Sequence, residues 1–349
     1  MVPELKNELT GQGVQVHYLQ GLFRTYQSGG FGFSRLVNWA WLGCALPFVF
    51  GIQRPSKVLV RSTPPGIQLW AALWVKAFQI PGVLWLLDYH PEIEARGFEE
   101  KGVVGRWVAS LLRKWDSWSQ NAFERVIVPD EAMAKVAHRL SSHPNIEVFP
   151  TWNQSLSSGE GLRSLAGPVG EMDAPTILYC GNVGGEEDLW EFEQWLACRA
   201  EDGKRLKLLS VGTGEKGRLL FSDLSARMQN LSWEHLGRLS DEELIERVRT
   251  REVGLGLVLM REERKGLLSP SKYATYLHLG LPILYFGPEG TNADRVCREF
   301  GGGISLGSSS RNAGLGSLQS LDRIQLVEGV QRASQEFQKY TALKFTELL

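Results

Sequence analysis

A lone lysine stands at the start of a helical pattern in the segment SPSKYATYLHLGLPI, residues 269–283. Ser269 and Ser271 are residues that cap helices, and Lys272 falls in the first turn of the predicted helix. Lysine normally lies in the last turn, where it complements the helix dipole, so a cation in the first turn indicates an anion beside it. The hydroxyls, backbone amides and ammonium group predict a phosphate site. The alternative is that Lys272 is an ordinary solvated residue.

Glycine-rich turns follow two predicted strands in the same half of the chain, GNVGGEEDL from residue 181 and VGTGEKGR from residue 211. Glycine lets backbone amides approach an anion closely. Together with the loops that begin at residues 236 and 260, these turns supply the further binding candidates Gly181, Asn182, Gly184, Gly212, Lys216, Arg238 and Arg264. The chain has no GxxxxGK[ST] run, which disfavours a P-loop kinase, whereas GTGEKG at residues 212–217 does have GxGxxG spacing.

Titratable side chains also cluster in LLDYHPE, residues 86–92, at the end of another predicted strand. Asp88, His90 and Glu92 form a candidate polar face there, and Asp88 and His90 are the candidate catalytic residues. The alternative is structural, with Asp88 capping a turn and His90 packing on Pro91.

Alternating strands and helices must position these residues. Continuous apolar strands are predicted at 14–19, 57–62, 82–88, 125–129, 146–150, 176–182, 206–214, 231–237, 253–260, 282–287 and 302–306. Such strands, separated by helical patterns, indicate parallel sheets covered on both faces. Ligands of open parallel sheets bind beyond the carboxyl ends of the strands, where the candidate loops lie.

The 349 residues fit two domains, since a domain has about 150 to 200 residues. We predict an α/β domain over 1–152, a Ser-, Gly- and Pro-containing linker over 153–174, and a second α/β domain over 175–319. The two domains are expected to face a cleft. Amphipathic helices are predicted over 320–349, and a return of these helices to the first domain is one arrangement that the pattern allows.

Composition excludes several classes of protein. The chain is 43% hydrophobic and 22% charged with a net charge of −1, which is typical of a folded protein and predicts no nucleic-acid partner. No secretory signal pattern is found, and a cytoplasmic location is expected. The cysteines have no CxxC spacing and are predicted to be reduced structural thiols, at Cys44, Cys180, Cys198 and Cys297.

The order and spacing of these blocks resemble the GT-B glycosyltransferases of family 4, in the bacterial branch that builds surface polysaccharides. The resemblance covers nearly the whole chain. It includes KVLVRSTPPG, DYHPE, RVIVP, VFPTWN, ILYCGNVGGEEDL, LLSVGTG, HLGRLSDEEL and VGLGLVLM, and its most specific block is SPSK-x-x-x-YL-x-x-G-x-P.

The resemblance implies a GT-B fold of two Rossmann-like, doubly wound domains and a retaining transfer of a hexosyl-type sugar. The donor would be a nucleotide-diphosphate sugar of the UDP or GDP type, and the acceptor a lipid-linked or growing saccharide. No cofactor and no metal are implied. The leaving diphosphate would be stabilised by Gly181, Asn182, Gly184, Ser271 and Lys272. Arg238 matches the loop at the nucleobase, and Asp88 and His90 match the region at the reacting sugar.

The chain departs from the family pattern in three places. Thr275 and Leu267 stand where many members carry two glutamates, the second of which holds ribose hydroxyls. The usual Arg and Lys after the first strand of the second domain are missing, so Lys272 with Lys216, Arg218 or Arg264 must supply the charge. LTGQGVQVHYL, from residue 9, matches the second family strand, which implies that the first βα unit is absent.

Two functions therefore remain open, a transferase of polysaccharide biosynthesis and a catalytically degenerate GT-B protein that acts as a binding or partner subunit. An absent βα unit would reflect either a truncated start or the decay of a non-catalytic protein.

Residues 36–52 are nearly uncharged but slightly short for a membrane span. The aromatic residues of this region, Phe33, Trp39, Trp41 and Phe48, suit either a peripheral contact with the inner face of the membrane or ordinary internal packing.

Overall fold

The structure of the protein is a computed structural model, which describes residues 33–63, 66–151, 176–183, 189–201, 203, 205–212, 214–250, 253–306, 323–340 and 344. The chain divides into two compact units. The first contains Met1–Pro150, Gly266–Ser269 and Ala342–Leu349, and the second contains Thr151–Lys265 and Pro270–Thr341.

The first unit is built on a parallel sheet of four strands in the order β1-β2-β3-β4, within the described residues. Its elements in chain order are α1 (Phe33–Gln53), β1 (Val58–Arg61), α2 (Ile67–Phe78), β2 (Gly82–Trp85), α3 (His90–Glu99), α4 (Gly102–Gln120), β3 (Arg125–Val128), α5 (Glu131–Ser141) and β4 (Ile146–Val148). Helix α5 begins at Glu131 because the Asp130 carboxylate accepts a hydrogen bond from the Met133 N–H group at 2.8 Å.

The core of the first unit contains one residue that is distant in sequence. Leu267 is fully buried among the apolar residues of this unit, including Leu84 and Val128. The Tyr89 N–H group donates to the Leu267 carbonyl oxygen at 2.6 Å, and Asp88 forms an antiparallel bridge with Leu268. Leu267 therefore has a packing role in the first unit.

The second unit is built on a six-stranded parallel sheet. Its elements are β5 (Thr176–Cys180), α6 (Trp190–Glu201), β6 (Leu206–Val211), α7 (Gly214–Arg227), β7 (Leu231–His235), α8 (Asp241–Thr250), β8 (Val253–Leu259), α9 (Lys272–His278), β9 (Ile283–Phe286), α10 (Asn292–Arg298), β10 (Gly303–Ser305) and α11 (Arg323–Phe337). The strand order is β10-β9-β8-β5-β6-β7. The sheet is therefore doubly wound, because the order in which the chain adds strands reverses between β5 and β8.

The predicted strands of the described residues are present, but two helices were missed. Helix α3 starts immediately after DY, with Pro91 near its first position, and α7 starts at Gly214 with a further glycine at position 217. Proline and glycine normally mark the end of a helical pattern, which is why the sequence did not indicate these helices.

Two predictions concern residues that the structure does not describe. The strand at 14–19 and the linker at 153–174 lie outside the described residues. Helix α11 lies in the second unit, where it contacts α9, α10 and β10.

All four cysteines are free, and Cys180 and Cys297 are buried. Among the described helices, none has both the length and the apolar character needed to cross a membrane.

Candidate functional site

The reversal of the second sheet lies between β5 and β8, which pair directly. Doubly wound sheets bind ligands beyond the carboxyl ends of the strands at this reversal. The turn after β5 contains Gly181 and the segment after β8 leads to Lys272. The topology therefore places both predicted groups at the expected binding edge.

Backbone hydrogen bonds join the turns that follow β5, β6 and β7. The Gly181 N–H group donates to the Val211 carbonyl oxygen at 2.8 Å, and the Gly212 N–H group donates to the Gly237 carbonyl oxygen at 2.7 Å. The φ angles of Gly181, Gly212 and Gly237 are 102°, 66° and 73°. Residues that have a Cβ atom rarely adopt such positive φ angles. Glycine is thus required at each turn.

Lys272 lies beside the first of these turns. Its Nζ atom is 5.1 Å from the centroid of the Tyr179 ring, and its Cε atom would be 3.6 Å from a Cβ atom added to Gly181. Burial raises the pKa of the Cys180 thiol to about 12, and the positive charge of Lys272 acts in the opposite direction. We call the turns at Gly181, Gly212 and Gly237 together with Lys272 the Lys272 site.

Tyr276 fixes helix α9 to the sheet. The fully buried hydroxyl group donates to the Leu257 carbonyl oxygen and accepts from the Cys180 N–H group, each at 3.0 Å. A Cβ atom at Gly256 would be 2.3 Å from the Tyr276 ring, so glycine in strand β8 makes room for this ring. One turn separates Tyr276 from Lys272, and the anchor therefore fixes the base of the lysine.

The structure corrects the predicted role of the two serines. Ser271 precedes α9, but its side chain makes no capping hydrogen bond and its backbone is helical. Ser269 belongs to the first unit, and the N-cap position of α9 is Ser271. Helix α9 has only seven residues. The position of Lys272 beside Gly181, and not helix capping, is what supports an anion site.

The other predicted binding residues of the second unit differ in their exposure to solvent. Asn182 is exposed, with its Oδ1 atom 3.5 Å from a Cβ atom added to Gly214. Lys216 is exposed in the first turn of α7, and Arg238 is exposed directly after Gly237. Thr275 is half-buried on α9.

Two further predicted cations are Arg218 and Arg264. Arg218 forms an ion pair with Glu215 at 2.6 Å, so part of its charge is neutralised. Arg264 is half-buried and ends a short 3₁₀ helix, Glu262–Arg264. Gly184 lies outside the described residues.

In the first unit, Asp88 and His90 lie together after β2. The His90 Nε2 atom is 3.9 Å from Asp88 Oδ2, and the His90 Nδ1 atom is 3.4 Å from Glu94 Oε1. The Ser62 hydroxyl oxygen accepts hydrogen bonds from the N–H groups of Leu87 and Asp88, at 3.0 and 3.4 Å. An imidazole between two carboxylates is able to exchange protons with a bound molecule.

Glu92 does not join this pair. Its side chain is 5% exposed, and it receives hydrogen bonds from Arg113 at 2.6 and 3.0 Å and from Arg96 at 3.1 Å. The predicted group of three titratable residues is therefore divided, because Glu92 connects α3 to α4.

Sequence reasoning missed Tyr276, Gly256 and Glu94. An isolated glycine within an apolar strand indicates the close approach of another group, and this signal was available for Gly256. Glu94 is four residues after His90, which is the spacing of neighbours on a helix.

Comparison with known protein-family models gives no match, and comparison with curated proteins also gives none. Solved structures do match. A sucrose-phosphate synthase from Thermosynechococcus elongatus aligns with a TM-score of 0.60 and 12% identity over 93% of this chain and 81% of that chain. Anabaena HepE in complex with UDP-glucose aligns with a TM-score of 0.59 and 11% identity, over 98% and 86% of the two chains.

The lipopolysaccharide outer core galactosyltransferase WaaB aligns with a TM-score of 0.54 and 13% identity over 89% of this chain and 81% of that chain. These structures have two Rossmann-like domains of parallel sheets, as this chain does. The fold is GT-B. In this GT-B chain the Lys272 site belongs to the second unit, and Asp88 and His90 belong to the first.

Proposed function

We propose that the protein is a retaining, metal-independent glycosyltransferase of the family 4 type. It transfers a hexosyl group from a UDP- or GDP-sugar to a lipid-linked or growing saccharide in polysaccharide biosynthesis. The proposed place of action is the cytoplasmic face of the inner membrane, where the protein is peripheral.

The observation that carries this proposal is the packing of Lys272 against the turn at Gly181, beyond the reversal of the second sheet. A diphosphate group carries several negative charges and many acceptor oxygens. It suits a site that combines an ammonium group with glycine turns whose backbone amides can approach closely. The three neighbouring turns at Gly181, Gly212 and Gly237 each have a positive φ angle.

The chemistry that we propose for this site is stabilisation of the leaving nucleotide diphosphate. Breaking the bond from the sugar to the diphosphate concentrates negative charge on the phosphate oxygens. A fixed positive charge and backbone N–H donors lower the energy of that state. The anchor at Tyr276 supports this role, because it fixes the helix that carries Lys272.

For the nucleoside, we propose that Arg238 and the turn at Gly237 lie near the base. Arg264, Lys216, Asn182, Gly184 and Gly212 are proposed to line the donor, with Ser271 beside the diphosphate. Thr275 stands in for the family glutamate, and a threonine hydroxyl offers one donor and two acceptor lone pairs to ribose, without the negative charge. Asp88 and His90 are proposed to act at the reacting sugar.

The resemblance of the fold to sugar-transferring enzymes supports the proposal, and the UDP-glucose complex of HepE is one such case. A catalytically degenerate partner subunit is the alternative, because Thr275 lacks the carboxylate of the family.

The test measures thermal unfolding of the full chain with UDP, GDP, UDP-glucose and GDP-mannose. A ligand at about 100 times its Kd stabilises the folded state by about 2.7 kcal/mol, which raises the Tm by several degrees. Nucleotide release is then followed with polyprenyl-diphosphate saccharides as acceptors. Lys339→Ala is the matched control, since Lys339 is an exposed lysine of the same unit paired with Glu336.

A Tm shift with nucleotide that Lys272→Ala removes and Lys339→Ala keeps, together with nucleotide release, supports the enzyme. A Tm shift without any nucleotide release indicates the degenerate subunit. If no nucleotide changes the Tm, the proposed donor site is wrong.

A further inference from the structure

Helix α4 presents five of its eight large apolar residues to solvent, while Val108, Leu111 and Leu112 are half-buried. Trp107 is 65% exposed, Trp115 is 56% exposed and Trp118 is 43% exposed. Val103 and Val104, in the first turn, are 74% and 75% exposed. Single exposed apolar residues are common, but five on one helix are an apolar patch that calls for a partner.

The inward face of α4 is the more polar one. Its buried residues are Gly105, Ala109, Asp116, Ser119 and Gln120. A helix on the surface of a soluble protein normally turns its apolar stripe to the core and its polar residues to water. In α4 this arrangement is reversed, so packing within the unit does not explain the tryptophans.

Basic residues are interspersed with the exposed tryptophans. Trp107, Lys114 and Trp118 are spaced by seven and four residues, which places the lysine in the same stripe of the helix. Arg106 is exposed beside this stripe. Lys76 of α2 places its Nζ atom 5.5 Å from the centroid of the Trp118 ring. The only acidic residue of α4 is Asp116, which is buried.

The combination of exposed tryptophans with Lys114 distinguishes a lipid surface from a second protein as the partner of α4. In the core of a protein interface, Lys114 would lose its water, and burying an unpaired ammonium group is costly. At a lipid surface, tryptophan rings lie at the level of the head groups, and lysine side chains extend to the anionic phosphates. The charge pattern therefore favours lipid over a second protein.

We propose that the outward face of α4, formed by Val103, Val104, Trp107, Lys114, Trp115 and Trp118, docks the first unit onto an anionic lipid surface. The helix would lie in the plane of the interface, as amphipathic helices with tryptophan and lysine do. The inference deepens the peripheral contact within the proposed function and rests on it for its biological role. The surface itself does not depend on the Lys272 site.

The test is co-sedimentation of the full chain with vesicles of phosphatidylcholine alone and with vesicles of phosphatidylcholine mixed with phosphatidylglycerol. We expect the wild-type chain to bind the mixed vesicles more strongly, and more weakly as salt rises. Trp107→Ser combined with Trp115→Ser should lower binding by at least about tenfold, because both rings lose their place in the interface. Lys114→Glu should lower binding by at least about fivefold while keeping every tryptophan.

Leu219→Ser is the matched control, because Leu219 is 57% exposed on α7 of the second unit and should not affect vesicle binding. Thermal unfolding checks that each variant is folded. The nucleotide-dependent Tm shift, measured without vesicles, separates this proposal from the donor site.

Three outcomes would overturn the proposal. One is the absence of wild-type binding to mixed vesicles, and another is equal binding to both kinds of vesicle. The third is self-association of the wild-type chain, seen by sedimentation velocity, that the tryptophan variant abolishes while vesicle binding stays unchanged. That result would assign the face to a second copy of the chain. Loss of vesicle binding with an intact nucleotide response would leave the donor site standing.

Discussion

The Tyr276 hydroxyl group accepts a hydrogen bond from the Cys180 N–H group at 3.0 Å, and this bond connects helix α9 to the end of strand β5. Lys272 lies one turn earlier on the same helix, and Gly181 directly follows Cys180 on the strand. The same tyrosine therefore sets the distance between the two groups of the proposed diphosphate site.

Replacing Lys272 by alanine should abolish nucleotide-sugar turnover, with a loss of about 100-fold or more, because one charged donor to the leaving group is removed. The fold should remain intact, since the cation–π contact with Tyr179 contributes only about 1 kcal/mol. Steady-state kinetics and thermal unfolding check the two parts. Unchanged turnover would exclude this lysine from the site.

Alanine at Asp88 or at His90 should lower kcat more than it lowers nucleotide affinity, because these residues are proposed to act at the reacting sugar and not on the nucleotide. Turnover and nucleotide titration are measured on the same preparations. Glu92→Ala is the contrasting variant, since its ion pairs with Arg113 predict a loss of stability instead. An equal loss of turnover and affinity would point to a structural role for Asp88 and His90.

Tyr276→Phe should destabilise the second unit by about 1 to 3 kcal/mol, because it leaves a buried N–H group without its partner. Nucleotide affinity should also fall, since α9 loses its connection to β5. Denaturant unfolding gives the first quantity and nucleotide titration the second. Tyr340→Phe, at a half-exposed tyrosine of the same unit, is the control. A stable variant with normal affinity would contradict the anchoring role.

Gly256→Ala should destabilise the protein by about 1 to 3 kcal/mol, because the new methyl group would overlap the Tyr276 ring. Gly97→Ala offers a control with the opposite sign. Gly97 lies within helix α3 with open space around its Cα atom, so alanine there should stabilise the protein by about 0.5 to 1 kcal/mol. Free energies of unfolding in urea compare the two, and equal effects would contradict the crowding at Tyr276.

Asp116→Asn should change how stability depends on pH. Burial raises the pKa of Asp116 to about 6, while hydrogen bonds with Tyr89 and Gln120 act in the opposite direction. A raised carboxyl pKa means that the contribution of Asp116 to stability is fully present below about pH 4 and is lost as the pH rises through 6. The variant should therefore gain stability relative to wild type, by roughly 2 kcal/mol between pH 4.5 and pH 7.5.

The measurement for Asp116 is the difference in unfolding free energy between wild type and variant at pH 4.5 and pH 7.5. Comparing the two proteins cancels the titration of every other group. A difference that stays constant with pH would show that Asp116 does not titrate in this range.

Much of the fold could be predicted because it depends on local patterns. Apolar runs such as TILYC and VGLGLVL are long enough to identify buried parallel strands, and the strands found at these positions agree. Helix α7 could not be identified in this way, because the glycines at 214 and 217 conceal a helix whose buried face includes Phe221 and Leu224.

The candidate residues also differ in whether the local sequence was enough to identify them. The types and positions of Lys272, Gly181 and Gly212 were visible in the sequence, since glycine and lysine after strands have a local meaning. The partner of Glu92 was not visible, because Arg113 is distant along the chain and meets Glu92 only after folding.

The sequence by itself determined the two α/β units, the doubly wound character of the second and the loops that contain the candidate residues, because each follows from hydrophobic periodicity and turn chemistry. The tertiary structure decided which of those residues meet. Tyr276 fits only where Gly256 leaves space, Leu267 packs into the first unit, and α4 turns its tryptophans outward. These relationships depend on packing between elements that are distant in sequence, and no local pattern reports that packing.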